Sequence, residues 1–211
     1  MNPAEILQEV AAQASVCTKC DLQYSRKLAV PGEGPADAEI MFIGEGPGFH
    51  ENEQGRPFVG AAGSFLEELL ASIGLKREEV FITNVVKCRP PGNRDPQLEE
   101  LEACSNYLER QIQAINPKVI VTLGRFSMAR FLPNAKINEM HGQAVRVRGR
   151  LIAPMYHPAA ALHQPSLRST VVSDFARLPE WIAKAGTIPE MQTEVFISET
   201  QDQHSEQLSL F

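Results

Sequence analysis

Four cysteines fall into two pairs along this chain, and no fifth is left over. Two residues separate Cys17 from Cys20 in Cys17-Thr18-Lys19-Cys20, which lets both sulfurs face one centre. Fifteen residues separate Cys88 from Cys104, so the chain between them must fold back to join them. Four thiolates with none spare is the donor count of a tetrathiolate site, which takes a zinc ion or an iron–sulfur cluster. Ordinary buried or paired cysteines are the plain alternative.

At 211 residues and 43% apolar composition the chain suits one domain with a full core. Its apolar runs, such as Ile40-Met41-Phe42-Ile43, are too short to span a bilayer, so no membrane role is expected. Met1-Asn2-Pro3-Ala4-Glu5 has no basic leader region. These features point to the cytoplasm, with the thiols reduced. The net charge of −6 speaks at first against a nucleic-acid partner. Its distribution changes that: residues 187–211 carry five acids and no Lys or Arg, which leaves 20 basic against 21 acidic residues in the body. A near-neutral body can present a basic face. Lys87, Arg89 and Arg94 form one candidate cluster, and Arg146, Arg148 and Arg150 another; solvated surface charge is the alternative for each.

Hydrophobic periodicity predicts a helix over residues 3–14, strands over 39–44, 80–86 and 118–124, and helices over 64–73, 97–115 and 125–131. Phe65, Leu66, Leu69 and Leu70 form the buried stripe of the second of these helices, and Gly74 stops it. A strand pair is expected around Gly149, and residues 166–185 are mostly helical. Residues 44–60, rich in Gly and Pro, read as a long loop. Alternating strands and helices at this spacing imply a parallel sheet covered on both faces. In such sheets ligands bind beyond the carboxyl ends of the strands. Domain 1–186 is followed by a polar, acidic segment, 187–211, whose composition reads as disordered.

Three loops follow strand ends, and each carries an unusual residue. Gly44-Glu45-Gly46-Pro47-Gly48 can bring backbone amides close to a ligand, and Glu45 and Glu51 are candidate functional carboxylates. Pro47 and the distance to the next predicted helix set it apart from a dinucleotide-binding loop. Phe58 is an aromatic platform or a core residue. Asn84 ends a strand, where Asn is disfavoured. Its carboxamide sets a donor beside an acceptor, which matches the O4 and N3–H edge of uracil and mismatches cytosine. A plain turn Asn is the alternative. His157 lies just past a strand in Tyr156-His157-Pro158, where Pro158 keeps it extended.

Taken together, Gly44-Glu45-Gly46-Pro47-Gly48, Gly55-Arg56-Pro57-Phe58-Val59-Gly60, Thr83-Asn84-Val85-Val86-Lys87-Cys88-Arg89-Pro90-Pro91 and His157-Pro158-Ala159 resemble the family-4 uracil-DNA glycosylases, and the four cysteines match that family's cluster ligands in order and spacing. The resemblance runs from about Cys17 to Pro179. It implies a three-layer α/β/α sandwich with a central four-stranded parallel sheet. It also implies a structural 4Fe-4S cluster on Cys17, Cys20, Cys88 and Cys104, and removal of uracil from DNA by base flipping. The implied catalytic set is Glu45, Glu51 and His157, and the implied substrate-binding set is Gly46, Gly48, Phe58, Asn84 and His157. Phe58 would stack on the extruded uracil, Asn84 would bond its O4 and N3 edge, and His157 would donate to O2. Glu45 and Glu51 would help position the attacking water, and Gly46 stands where other glycosylase families use Asp or Asn. Arg89, Leu167 and Arg168 would contact DNA, with Leu167 or a neighbour as a wedge in the minor groove. One departure is Asn52, where the family commonly has a second acid; another is the absence of His from the loop 88–96, which disfavours covalent trapping of DNA.

Gln207-Leu208-Ser209-Leu210-Phe211 resembles the peptide by which bacterial repair proteins dock on the replication sliding clamp, with Gln207, Leu208, Leu210 and Phe211 as its contacts. The expectation is therefore a monomeric bacterial repair glycosylase acting on uracil-containing DNA. Two rivals remain at this level: a non-catalytic zinc- and nucleic-acid-binding module associated with the clamp, and a hydrolase acting on free nucleotides.

Overall fold

A computed structural model describes residues 1–191 of the chain. The helix α1 (Pro3–Ser15) opens on a capping box between Asn2 and Glu5, and α2 is a single turn, Leu22–Ser25. Then come β1 (Ile40–Gly44), α3 (Phe49–Gln54), α4 (Ala61–Ser72), β2 (Phe81–Asn84), α5 (Leu98–Ile115), β3 (Val119–Leu123) and α6 (Arg125–Ala129). The last part holds α7 (Ile137–Met140), β4 (Val145–Val147), β5 (Arg150–Met155), α8 (Pro158–His163), α9 (Arg168–Ala176) and α10 (Leu178–Ala183). None of these helices is long and apolar enough to cross a membrane.

The strands form one sheet in the order β2-β1-β3-β5-β4. Four strands are parallel, as expected, but the sheet has five: β4 pairs antiparallel with β5. The chain reverses between them at Arg148 and Gly149, both with positive φ (50° and 76°), the backbone that a two-residue hairpin turn requires. Successive side chains of a strand point to opposite faces, and the core divides accordingly. Ile40, Phe42, Val119, Val121, Leu151 and Ala153 pack with α4, α9 and α10 through Leu66, Leu69, Phe175 and Trp181. Met41, Ile43, Ile120 and Ile152 pack with α5 and α6 through Leu108 and Met128. The result is three layers, helices on both sides of a buried sheet.

One local reading needs correction. The stretch expected as a loop from 44 to 60 contains α3. Six mostly polar residues give no apolar period to see, and the helix is set instead by its ends. The Glu51 carboxylate accepts from the Gly48 N–H, and Gly55 closes the helix at φ 71°. Residues 166–185 are mostly helical, as expected, and divide at Arg177 into α9 and α10, whose second residue is Pro179.

A third layer of contacts joins α1 to α5. Val10, Ala14, Leu22, Val86 and Tyr107 pack around Cys88 and Cys104. Beside them Lys87 is buried, with 1% exposure, and does not belong to a surface basic cluster. Its ammonium donates to Thr83 Oγ1 at 2.7 Å, Asn84 O at 2.8 Å and Gln111 Oε1 at 2.7 Å. Burial pushes its pKa down to about 8. Replacing Lys87 with Met leaves three buried acceptors without that donor. We expect a loss of at least the ~1–3 kcal/mol of one orphaned group, read as a lower denaturant midpoint, while an unchanged midpoint would contradict the role.

Candidate active site

The carboxyl ends of the parallel strands meet on one side of the sheet. Gly44 of β1 sits in register with Asn84 of β2, and the Gly124 N–H after β3 donates to Met155 O at the end of β5. These ends and their loops line a cleft of about 350 Å³. Glu45, Gly46, Gly48, Glu51, Phe58, Asn84 and His157 all border it.

Asn84 is buried, and its Oδ1 has no hydrogen-bond partner among the described residues. A buried, unpaired acceptor is costly unless something binds there. A Cβ on Gly44 would lie 2.4 Å from that oxygen and 2.8 Å from the Phe58 ring. Glycine at this strand end is what lets the carboxamide and the aromatic ring share the floor of the cleft.

Phe58 is held against its preference. Its φ is 52°, a left-handed backbone that a bulky residue rarely adopts, at a cost of ~1–3 kcal/mol. The surrounding groups impose it. Arg77 donates from Nη1 to Phe58 O at 2.9 Å and from Nη2 to Pro57 O. The Arg77 side chain is only 14% exposed and is flanked by Glu33 and Glu67. Glu51 Oε1 accepts from Val59 N at 2.9 Å and Gly60 N at 3.0 Å, and its Oε2 accepts from Gly48 N at 3.1 Å. Gly63 completes the turn, since a Cβ there would strike Phe58 O at 2.0 Å. Glu51 thus ties two loops of the cleft together, and the Gly48 amide is engaged by it.

Glu45 differs. Its side chain makes no hydrogen bond among the described residues, and burial first, then the nearby Asp95 charge, push its pKa up while Arg125 pulls it down. Asn52 is buried and faces away from the cleft chemistry, its Oδ1 accepting from Lys27 N at 3.0 Å.

His157 is half-buried, and burial pushes its pKa down to about 4, with the Glu51 charge opposing. Its Nδ1 accepts from Ala159 N at 3.1 Å, so the neutral ring carries its proton on Nε2. The ring stacks on Phe58 with 5.4 Å between centroids and 24° between planes. Touching planes lie ~3.5–4.0 Å apart, so this is an offset stack, and Phe58, 5% exposed, still borders the cleft.

The four cysteines line a second, small pocket together with Arg26, Lys87 and Tyr107. All are free thiols. Arg26 Nη1 donates to Cys88 Sγ at 3.4 Å, and Lys87 N to Cys104 Sγ at 3.2 Å. Among the described residues no three His, Cys, Asp or Glu side chains have the spacing of a site for one metal ion.

Of the remaining expected residues only Arg94 lines either pocket among the described residues. Arg89 donates to Asn93 Oδ1 at 2.7 Å at the rim of the cleft. Arg94, which does line it, is held by Glu100 through two bonds of 2.9 and 2.6 Å. Leu167 is half-buried in a turn ahead of α9, whereas Leu162 on α8 is 41% exposed. Arg168 lies 4.1 Å over the Phe65 ring and bonds Glu68 Oε2 at 2.7 Å. Arg146, Arg148 and Arg150 occupy the β4–β5 hairpin, whose turn is at the amino end of β5, away from the cleft. Gln207, Leu208, Leu210 and Phe211 lie outside the described residues.

Local sequence gave no sign of Arg77, because its partners Pro57 and Phe58 are about twenty residues away. We expect Arg77→Met to raise KM for substrate several-fold more than it lowers kcat, through loss of the Phe58 surface, and Arg77→Lys to restore little because it cannot bond both carbonyls. Equal, small effects of both substitutions would argue against the clamp. An NMR titration of the His157 ring should show no protonation between pH 8 and 5.5. A midpoint near the ordinary 6.5 would contradict the neutral assignment. The unfolded imidazole takes up its proton below 6.5 and the folded one only near 4, so stability falls as pH drops between those values.

Residues 31–178 match the family model of the uracil DNA glycosylase superfamily. The chain is similar to the type-4 uracil-DNA glycosylase of Sulfurisphaera tokodaii, with 48% identity over 82% of this chain and 84% of the relative. It is also similar to that of Archaeoglobus fulgidus (48%, over 85% of this chain and 95% of the relative) and of Thermotoga maritima (42%, over 86% and 97%).

Proposed function

The chain belongs to the uracil-DNA glycosylase superfamily, and on that footing we propose that it is a DNA repair enzyme that hydrolyses the N-glycosidic bond of uracil in DNA. The observation that carries the reading is the unpaired Asn84 Oδ1 on the floor of a strand-end cleft, beside Phe58 and His157. A base extruded from the helix would set its N3–H against that oxygen and stack on Phe58. Cytosine, with an acceptor at N3, would leave the oxygen unpaired, at ~1–3 kcal/mol.

In the reaction the bond between sugar C1′ and base N1 breaks, and its electron pair leaves with the base. Negative charge builds on O2. The neutral His157 offers Nε2–H as a donor there without having to lose a net charge afterwards. A water oxygen forms the new bond to C1′ and gives up a proton. Of the two carboxylates, Glu45 suits that task, because its oxygens are free and burial makes it a stronger base. Glu51, with three backbone amides on its two oxygens, shapes the cleft and holds Phe58 in place.

Cys17, Cys20, Cys88 and Cys104 would hold a 4Fe-4S cluster. Four free thiols around one pocket, two of them accepting N–H donors, suit that group. A single zinc ion would need all four sulfurs about 2.3 Å from one centre. When bound, the cluster supplies structural bonds between the α1–α2 connection, the loop after β2 and α5, and no part of the hydrolysis runs through it. Unpaired thiols also suit the cytoplasm. Arg89 would meet phosphate, and Leu162 or Leu167 would fill the vacated stack. The segment ending at Phe211 would dock on the bacterial sliding clamp as a monomeric enzyme's tether.

Free uracil released from single- and double-stranded oligonucleotides tests the reading. The wild-type protein should release it. Asn84→Ala should abolish release with the fold intact, and His157→Ala should lower the rate by about 10²–10³. No release from either substrate by iron-loaded protein would overturn the activity. Cys104→Ser should reduce bound iron and visible absorption; full iron content in that variant would overturn the ligand assignment.

A further inference from the structure

Phe49, the first residue of α3, is 53% exposed although it directly follows Gly48 of the cleft wall. A lone exposed Phe would need no explanation. This one is organised. The Arg89 guanidinium stands 5.4 Å from its ring centroid, and the His50 ring meets it edge-on at 5.4 Å and 83°. Arg89 is in turn aimed by its bond to Asn93 Oδ1, and Asn93 lines the cleft. The cluster is therefore continuous with the rim through both Gly48 and Asn93.

We propose that Phe49 is a stacking plate for the nucleobase next to the extruded uracil on the same strand, with Arg89 beside it for the intervening phosphate. The inference rests on the uracil-DNA reading and extends it to the flanking nucleotide. Extruding a base unstacks its neighbour, and an exposed aromatic ring at the rim offers that neighbour a new partner. Such stacking accepts any base, because every base presents a flat face. A cation over the ring strengthens the plate and attracts the backbone. Phe49 has no role in holding the cleft: the loops there are tied by Glu51 and Arg77.

A substrate-deletion cycle on the full chain tests this. Uracil release is compared between oligonucleotides with normal neighbours and oligonucleotides whose neighbouring nucleotides on either side lack a base. Base–aromatic stacking of ~1–3 kcal/mol corresponds to about 5- to 160-fold. The wild type should lose that much in kcat/KM when the neighbouring base is removed. Phe49→Ala should show the loss already on the normal substrate and none further on the base-free one. Phe49→Trp should behave as the wild type. Equal losses in the wild type and Phe49→Ala, or no loss in either, would overturn the proposal while leaving uracil release intact. Absence of release from every substrate by the wild type would instead overturn the underlying activity, and this proposal with it.

Discussion

The buried ammonium of Lys87 is the interaction on which the two functional pockets jointly depend. A charge with 1% exposure persists only where acceptors surround it, and here they come from the end of β2 and from α5. One acceptor is the backbone carbonyl of Asn84, the residue on the cleft floor. The backbone N–H of the same lysine bonds Cys104, and its chain neighbour is Cys88. Within five residues, Asn84 to Cys88, the chain passes from the cleft floor to the cysteine pocket, and the lysine bonds on both sides. A cluster holding the cysteines would therefore stiffen the strand end that carries Asn84, without taking part in the chemistry.

On the other wall the same logic appears as strain. Phe58 keeps a left-handed backbone because Arg77, Glu51 and the bare Gly63 leave it no other. Pre-paid strain of this kind places a stacking surface before the substrate arrives, which lowers the ordering cost of binding. The neutral His157 is fixed in the same way, by the Ala159 amide on Nδ1. Lys87 holds the Asn84 backbone, Arg77 and Glu51 hold the Phe58 loop, and the Ala159 amide holds the His157 ring.

Much of the fold was legible because its signals are local. β1, β3 and β5 are short apolar runs in which alternate residues serve opposite faces, and α4 and α5 carry clear apolar stripes. α3 was not, since one Phe followed by five polar residues shows no period and its bounds come from Gly48, Glu51 and Gly55. Asn84 and His157 could be singled out because each is an odd residue type just where a strand ends. Lys87 was misread as a surface cation: beside Arg89 it looks like loop charge, and only the packing of α5 against β2 supplies Gln111. Arg77 is invisible for the same reason, because its carbonyl partners come from a different loop.

The most direct measurement follows the Asn84 side-chain amide by NMR as free uracil or cytosine is added to the iron-loaded protein. The account predicts a saturable shift of that resonance with uracil and none with cytosine at the same concentration. Equal shifts with both bases, or none with either, would contradict the claim that this carboxamide reads the base.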